Sequence, residues 1–490
     1  MRAVRTSCAA LLSVVCALAS GCAQTPPPTP PEAPPDPKPE PTQALPQVLR
    51  EVVAGYAAKV MASAIFVSHR TLDSVLAEEL APDAPLQAMA RPFLSFDVDR
   101  DERTVRTHLL GVGATAAFVD GLGCTLLNGV DLATLRARAL PPLPAERDPR
   151  PWPLGDDVEA AKQQDQIDGK ALGDAVAYAF AEREGRPLVH TRAVVVARKG
   201  QLLAERYAEG YDAATVLPGW SMSKTWVSAL VGMRVLDKAL DPQAELPVPE
   251  WQKDAADPRR ALRLDDLLRM QSGLRWKEDY EAQDSDALRM LFLANDYGSV
   301  AASQPLAVPP RTEFRYSSGT TNLICRILRT TFADSAGYLA FARDRLFLPL
   351  GMKSALLEPD PSGTFVGSSF GFATARDWAK FGLFYLQDGV WDGRRLLPEG
   401  WVASAREPTP TARRGDFGAH LWLNAGTAAQ PDEVPFARLP RDLFYLSGHE
   451  GQYVVCFPKQ QLVVVRLGCA KRGGFDLHGF LERVLKACGG

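Results

Sequence analysis

Two groups of strand-like segments stand far apart in this chain, and a long helical stretch separates them. Residues 193–197 form an unbroken apolar run that a Lys-Gly turn connects to residues 202–207, and residues 452–457 and 462–467 are similar runs near the other end. Between them, residues 221–400 carry apolar side chains at helical spacing. Because a lone strand pair cannot bury its apolar faces, we expect the distant strands to share one sheet, with the helical stretch inserted as a second domain. A cleft between the two is the expected ligand site.

Local patterns predict the individual elements of this body. The predicted helices cover residues 175–184, 226–236, 262–270, 321–331, 375–386 and 477–485. Gly273 follows the third of these and suits a helix C-cap. Residues 417–423 and 444–446 have the composition of further strands.

The region before this body predicts a small α/β accessory unit. Residues 47–80 hold two segments with helical spacing, and three strand-like segments follow over residues 93–119. A Pro-rich stretch at 141–153 separates them from the rest. We place the accessory region at residues 47–150 and the main domain at residues 185–488, and the sequence assigns no role to the former.

The first 22 residues predict a lipoprotein signal peptide. Arg2 and Arg5 precede an apolar run over residues 9–19, which is shorter than the roughly 20 apolar residues that a membrane span needs. The sequence Leu18-Ala19-Ser20-Gly21-Cys22 resembles the bacterial lipobox, which implies lipidation of Cys22. The alternative is a plain cleaved signal with an incidental cysteine. We therefore expect an exported protein that a lipid anchor holds at a membrane, facing the periplasm or the cell exterior.

A Pro-rich linker at residues 23–46 follows the predicted anchor. It holds almost no apolar side chains that a core could bury, and a polyproline-like chain extends by about 3.1 Å per residue. This segment is predicted to be a semi-rigid tether between the anchor and the folded body.

Composition excludes several classes of partner. The net charge of −3 and the pI of about 6.2 provide no basic surface for nucleic acid. The six histidines show neither H-x-H-x-D nor H-E-x-x-H spacing, so we expect no metal and no cofactor. Past Cys22 there are five cysteines, an odd number that implies no small disulfide framework.

One S-x-x-K pattern, Ser221-Met222-Ser223-Lys224, begins an amphipathic helical segment. Positions three apart on a helix share a face, so the Ser221 hydroxyl and the Lys224 amine are expected to lie side by side. A lysine that burial holds uncharged can accept the hydroxyl proton and make the serine a nucleophile. Solvated Ser/Lys pairs on helix surfaces are common, so the pattern alone is weak.

Two further elements follow in chain order. Tyr316-Ser317-Ser318 stands at the start of a helical segment, where a phenol can exchange a proton with a nearby lysine, although most tyrosines are half-buried structural residues. Gly448-His449-Glu450-Gly451-Gln452 leads directly into an apolar strand, and its amides can serve as oxyanion donors. The alternative for His449 is a plain histidine in a hairpin turn.

Together, the order S-x-x-K, Tyr-x-Ser and His-x-Gly resembles the serine β-lactamase and penicillin-recognising family. The class C-like branch of esterases, D-aminopeptidases, D-Ala-D-Ala peptidases and nylon-oligomer hydrolases is the most similar part of that family. Tyr316 follows Ser221 by 95 residues and His449 follows Tyr316 by 133, spacings that also fit the family. The resemblance implies a β-lactamase-like α/β fold, an antiparallel sheet flanked by helices plus an inserted helical domain.

The resemblance also implies residue roles. Ser221 would be the nucleophile, Lys224 its base and Tyr316 the proton relay to the leaving group. Ser318 would contact the substrate amide, and His449 and Gly451 would form the third motif. In addition, the amides of Ser221 and Gln452 would form the oxyanion hole.

Departures from the family pattern bear on the substrate. Ser318 stands where class C β-lactamases have an asparagine, and His449 replaces a lysine that suits a β-lactam carboxylate. We therefore predict a serine hydrolase that cleaves a small ester, amide or peptide-like substrate through an acyl-enzyme. The alternatives are a non-catalytic or slowly acylating penicillin or cell-wall binding module, and a true β-lactamase or D-Ala-D-Ala peptidase.

Overall fold

Strands from both ends of the body lie in one antiparallel sheet, as the sequence predicts. In this computed structural model, residues 46–80, 91–143, 147–159, 167–282, 284–471 and 473–489 are described. The described strands are β1 (Leu94–Asp99), β2 (Thr104–Leu109), β3 (Val112–Val119), β4 (Gly123–Leu126), β5 (Thr191–Arg198), β6 (Gln201–Tyr207), β7 (Leu217–Pro218), β8 (Leu356–Leu357), β9 (Gly371–Ala373), β10 (Val390–Trp391), β11 (Arg394–Arg395), β12 (Trp422–Leu423), β13 (Phe444–Gly448), β14 (Gln452–Phe457) and β15 (Leu462–Gly468). The main sheet has the order β12-β13-β14-β15-β5-β6.

Helices cover the sheets and fill the middle of the chain. They are α1 (Gln47–Phe66), α2 (Leu72–Glu78), α3 (Leu132–Arg136), α4 (Gly169–Phe180), α5 (Ser223–Leu236), α6 (Leu264–Leu268), α7 (Asp286–Leu293), α8 (Tyr297–Ala302), α9 (Ser318–Arg329), α10 (Ser335–Phe341), α11 (Ala375–Leu386), α12 (Trp401–Ala405) and α13 (Leu477–Ala487). The helical middle is therefore inserted between β6 and β12 of the main sheet.

Both faces of the main sheet are buried, which explains why its central strands are continuous apolar runs. On β5, Val194 and Val196 contact the cluster that α4 and α13 form on one face. Their neighbour Val195 faces the opposite side, where α11 packs against β14 and β15. Gly382 of α11 permits this close approach, because a Cβ there would lie 2.7 Å from Val463 of β15. The fold is that of the β-lactamase-like α/β class that the sequence predicts.

The accessory region is a helix packed on a four-stranded sheet. Strands β1 to β4 form an antiparallel sheet in chain order, and α1 packs against β2, β3 and β4. Buried residues of α1 and of this sheet belong to the same apolar cluster as the core of the helical middle. The accessory region and the body therefore share one continuous core.

Three local predictions were wrong in extent. The helix predicted over 262–270 covers only Leu264–Leu268, because an Asp266 side chain accepts from the Arg263 amide and Met270 already has left-handed backbone (φ 56°). Gly273 is accordingly not its C-cap but a positive-φ position (φ 74°) where a Cβ would lie 2.3 Å from the Val308 carbonyl oxygen. The helix predicted over 175–184 is Gly169–Phe180.

The third error is at the strand predicted over 417–423, which shrinks to Trp422–Leu423. His420 has a φ of 53°, a left-handed backbone that does not continue a strand. His420 is also buried, and its carbonyl oxygen accepts a hydrogen bond from the Thr225 hydroxyl 2.8 Å away. This hydrogen bond links the bend at His420 to α5, the helix that follows Ser221.

The described cysteines are all buried and unpaired: Cys124, Cys325, Cys456, Cys469 and Cys488. Among the described residues, no helix combines the length and the apolar character that crossing a membrane requires. The predicted signal peptide, Cys22 and residues 23–45 of the predicted linker lie outside the described residues.

Candidate active site

A sharp turn presents Ser221 between β7 and α5. The Gly219 amide donates to the Gly371 carbonyl oxygen of β9 at 2.8 Å, and a Cβ on Gly219 would lie 2.2 Å from the Trp378 ring. Trp220 then has left-handed backbone (φ 49°), a conformation that residues other than glycine rarely adopt. Such residues are concentrated at functional sites. Ser221 follows on a short 3₁₀ turn that leads into α5 and is half-buried.

Lys224 lies one turn further on and points at the Ser221 hydroxyl. Its Nζ donates to Ser221 Oγ at 3.1 Å, to Ser318 Oγ at 3.1 Å and to the Ser368 carbonyl oxygen at 2.9 Å. Burial lowers the pKa of Lys224 to about 8, and the nearby Glu278 carboxylate opposes that shift. At pH 7, about a tenth of the enzyme would therefore hold this amine uncharged.

Tyr316 completes the predicted group. The Lys224 Nζ lies 4.8 Å from the centre of its ring. Burial raises the pKa of Tyr316, and a hydrogen bond with Ser221 opposes that rise. The Ser317 hydroxyl caps α9 by accepting from the Thr320 amide at 3.0 Å, which fixes the backbone beside Tyr316. The structure thus brings together the three residues that the sequence predicts as catalytic.

Ser318 is fully buried within the same hydrogen-bond network. It accepts from Lys224, and its own hydroxyl donates to a Glu278 carboxylate oxygen. The Tyr280 hydroxyl also lies 3.5 Å from Ser318 Oγ, so Ser318 links the predicted base to both Glu278 and Tyr280. The substrate contact that the resemblance implies for Ser318 stays a prediction.

The third motif forms the turn between β13 and β14. Its entry is close to the serine, because a Cβ on Gly448 would lie 2.2 Å from the Gly219 carbonyl oxygen. His449 is exposed, and its ring stacks on Tyr280 at 5.5 Å and meets the edge of Trp220 at 5.6 Å. His449 therefore forms part of the wall beside Ser221.

Gly451 and Gln452 complete that turn. Gly451 has left-handed backbone (φ 80°), and a Cβ there would lie 2.7 Å from Arg466 Nη1. The Gln452 side chain donates to the His449 carbonyl oxygen at 3.0 Å and accepts from the Gly468 amide at 2.9 Å. Its side chain braces the turn, so only its backbone amide remains for the predicted oxyanion role.

Glu278 is a site residue that the sequence analysis missed. Its carboxylate accepts from the Ser318 amide at 2.8 Å, from the Tyr280 hydroxyl at 3.0 Å and from the Trp276 indole. Together with the Ser318 hydroxyl, these donors make four, and they fix the position of the Glu278 carboxylate. Ser318 lies between this negative charge and Lys224. Glu278 lies in a loop without hydrophobic periodicity, and no sequence pattern distinguishes it from its acidic neighbours.

A cleft of about 690 Å³ opens between the loop that carries Glu278 and the turn that carries His449. Glu278, Tyr280, His449, Glu450, Tyr453 and Phe475 are among the residues that line it. The aromatic and carboxylate side chains leave room for a small organic substrate. In the described part of the chain, no group of histidine, cysteine or acidic side chains could hold a metal ion.

Replacing Glu278 with glutamine should shift the pH dependence of the enzyme. Because Glu278 raises the pKa of Lys224, its neutralisation lowers that pKa below about 8 and leaves more uncharged amine at a given pH. The rising limb of kcat/KM against pH is therefore expected to move to lower pH, measured with a neutral p-nitrophenyl ester. Glu450→Gln removes a charge from the same cleft without touching Ser318; an equal shift in both variants would contradict a specific role for Glu278.

A known protein family matches most of the main domain of this chain. The sequence profile of the family described as Beta-lactamase matches residues 179–475, more than half of the chain, and the protein belongs to this family. The accessory region falls outside the matched residues.

Several known proteins are similar to this chain. The 6-aminohexanoate-dimer hydrolase of Paenarthrobacter ureafaciens is 28% identical over 233 residues, which cover 44% of this chain and 56% of that protein. The chain thus spans little more than half the length of this curated relative. A solved structure of a candidate β-lactamase from Bacteroides dorei DSM 17855 has a TM-score of 0.50 at 16% identity, covering 66% of this chain and 98% of that one. A family VIII carboxylesterase structure has a TM-score of 0.48 at 15% identity, covering 66% of this chain and 96% of that one. At 16% identity the Bacteroides structure supports the shared fold alone.

Proposed function

We propose that this protein is an exported hydrolase that cleaves an ester or amide bond through an acyl-enzyme on Ser221. The observation that carries the proposal is the buried Lys224 amine, 3.1 Å from the Ser221 hydroxyl and with a pKa lowered to about 8. A base with this pKa is uncharged often enough near neutral pH to accept the hydroxyl proton, and it still binds a proton well enough to pass it on.

The first half of the reaction forms the acyl-enzyme. Uncharged Lys224 takes the Ser221 proton as Oγ attacks the substrate carbonyl carbon, and the amides of Ser221 and Gln452 stabilise the resulting oxyanion. Each such donor typically contributes about 2.7–4 kcal/mol of transition-state stabilisation. Tyr316 then relays the proton from Lys224 to the leaving oxygen or nitrogen. The carbonyl–leaving-group bond breaks and leaves an ester on Ser221.

The second half returns the free enzyme. The Tyr316 hydroxyl takes a proton from a water molecule and passes its own proton to uncharged Lys224 as the water oxygen attacks the Ser221 ester. When the tetrahedral intermediate collapses, the carboxylic acid leaves and Ser221 Oγ recovers its proton. Glu278 keeps Ser318 oriented toward Lys224 during both halves.

The walls of the cleft favour esters and amides over β-lactams. Four acidic residues line it, Glu278, Asp279, Glu281 and Glu450, against one lysine, Lys471, so the carboxylate of a penicillin would meet net negative charge. The third motif offers His449 where a permanent lysine cation would suit that carboxylate. The curated relative is named for the hydrolysis of an aminohexanoate dimer, which supports keeping amides among the proposed substrates.

Intact-mass spectrometry tests the proposed substrate class. The wild-type protein is exposed in separate reactions to a fluorophosphonate and to penicillin, and the added mass is measured over time. An adduct with the fluorophosphonate alone supports an esterase or amidase. A long-lived adduct with both would instead indicate a slowly acylating penicillin-binding module, and rapid loss of penicillin from solution would indicate a β-lactamase.

We also propose that the mature protein is a membrane-anchored lipoprotein facing the periplasm or the cell exterior. The lipobox-like sequence at residues 18–22 and the Pro-rich residues 23–46 support an anchor followed by a tether. Cell fractionation of the full chain and of Cys22→Ala tests this. Equal recovery of both in the soluble fraction would contradict the anchor.

Replacing Tyr316 with phenylalanine should lower kcat by at least ~100-fold, the low end for a general acid–base group. The change removes the hydroxyl that hydrogen-bonds with Ser221 and keeps the ring, which packs on Trp422 at a centre-to-centre distance of 5.6 Å. Steady-state ester hydrolysis measures the loss. Tyr178→Phe is the matched control, because it removes a hydroxyl that donates to Asp476 outside the cleft. A loss below about tenfold for Tyr316→Phe would assign the proton relay to another residue.

A further inference from the structure

The segment 368–371 contacts Lys224 and the turn that presents Ser221. The Ser368 carbonyl oxygen accepts from Lys224 Nζ at 2.9 Å. Three residues later, the Gly371 carbonyl oxygen accepts from the Gly219 amide at 2.8 Å, two residues before Ser221. The position of this segment therefore sets how the amine and the hydroxyl face each other.

This segment in turn rests on Glu358 and on the accessory region. The Glu358 amide donates to the Phe370 carbonyl oxygen at 3.0 Å, at the end of the small sheet in which β9 pairs with both β7 and β8. The Phe370 ring lies 4.0 Å from Lys59 Nζ of α1 on one side and 6.3 Å from the Trp220 ring on the other. The Phe370 ring therefore links Lys59 of the accessory helix to Trp220, the residue before Ser221.

The Glu358 carboxylate is held by groups of the accessory region. It forms an ion pair with Lys59, accepts from Ser63 Oγ at 3.0 Å and accepts from the Cys124 amide at 2.7 Å. The Lys59 and Glu358 side chains are 3% and 0% exposed. Because a buried charge that loses its partner is strongly unfavourable, this pair fixes the spacing between α1, β4 and the segment after β8 that carries Glu358.

We propose that Lys59 and Glu358 are positioning residues for the Ser221–Lys224 pair, so that the accessory region 47–150 is part of the catalytic unit. The inference rests on the proposed function of that pair. The residues that match the β-lactamase family do not include Lys59, Ser63 or Cys124. The accessory region of this chain therefore supports the segment that contacts Lys224.

A double variant, Lys59→Met with Glu358→Gln, tests the role without leaving an unpaired buried charge. The full chain is labelled with a fluorophosphonate, and the labelling rate and kcat are measured per labelled site at a temperature well below unfolding. We expect both to fall by roughly ten- to 100-fold, as for a small misplacement of reacting groups, with KM within about twofold. Lys59→Arg keeps the buried cation in an altered geometry and gives the same comparison if the double variant does not fold.

Val105→Ala is the matched control. It removes side-chain volume from the accessory core on β2, and none of the hydrogen-bond donors to the Glu358 carboxylate lies on that strand. Val105→Ala should lower the melting temperature and leave the rate per labelled site unchanged. That is the result expected of a substitution that affects stability alone. Folded Lys59 and Glu358 variants with the wild-type labelling rate and kcat would overturn the inference. Absence of Ser221 labelling in the wild-type protein would instead overturn the proposed function.

Discussion

Replacement of Ser221 by alanine is expected to reduce the turnover of p-nitrophenyl esters by at least ~10⁴-fold, the scale seen when an enzyme loses its nucleophile. The variant keeps Lys224, Tyr316 and the backbone amides, but no oxygen remains to form the acyl-enzyme. The fluorophosphonate adduct should disappear in the same variant. Steady-state kinetics and intact-mass spectrometry on matched protein concentrations measure both effects.

The fold should survive this substitution, because Ser221 is half-buried and the turn around it is held by backbone contacts of Gly219. Circular dichroism and the melting temperature check that point. Ser303→Ala, at the end of α8 and exposed to solvent, is the control for a serine outside the site. Retained turnover or labelling in the folded Ser221→Ala protein would remove Ser221 from the mechanism.

Replacement of Lys224 by arginine should cost at least ~100-fold in kcat and remove the rising limb of the pH profile. A lysine with a pKa lowered to about 8 becomes uncharged, and hence active as a base, as the pH rises through that value. Activity of the wild-type enzyme should therefore increase with pH around this midpoint. An arginine stays protonated over the whole range, so the variant keeps the cation and loses the base.

Lys380 provides the matched control. It is another buried lysine, on α11, and it donates to the Gly351 carbonyl oxygen and pairs with Asp377. Lys380→Arg should leave the pH midpoint unchanged. A Lys224→Arg enzyme that kept its rate and its pH dependence would show that another group activates Ser221.

Much of this arrangement could be predicted because the determining features are local in sequence. Helix α11 and strand β14 begin and end at the predicted residues, since clear periodicity and turn residues bound both segments. Ser221 and Lys224 lie within one helical turn, so their contact follows from helix geometry alone. Tyr316 joins them through the order and spacing of the family motifs.

The remainder depends on contacts between residues far apart in the chain. Glu278 reaches the base only through Ser318, 40 residues away, and its loop carries no pattern that would reveal this. The Gln452 side chain braces a turn because of where Gly468 lies in the neighbouring strand. Lys59 and Glu358 are separated by 299 residues, so no local pattern could pair them.

The pH dependence of fluorophosphonate labelling, with the modified peptide identified by fragment mass spectrometry, tests the central claim most directly. The claim is that an uncharged Lys224 removes the proton from Ser221. It predicts adduct on Ser221 alone and a labelling rate that rises with a midpoint near pH 8. Adduct on another residue, or a rate that is flat from about pH 6 to about pH 10, would contradict it.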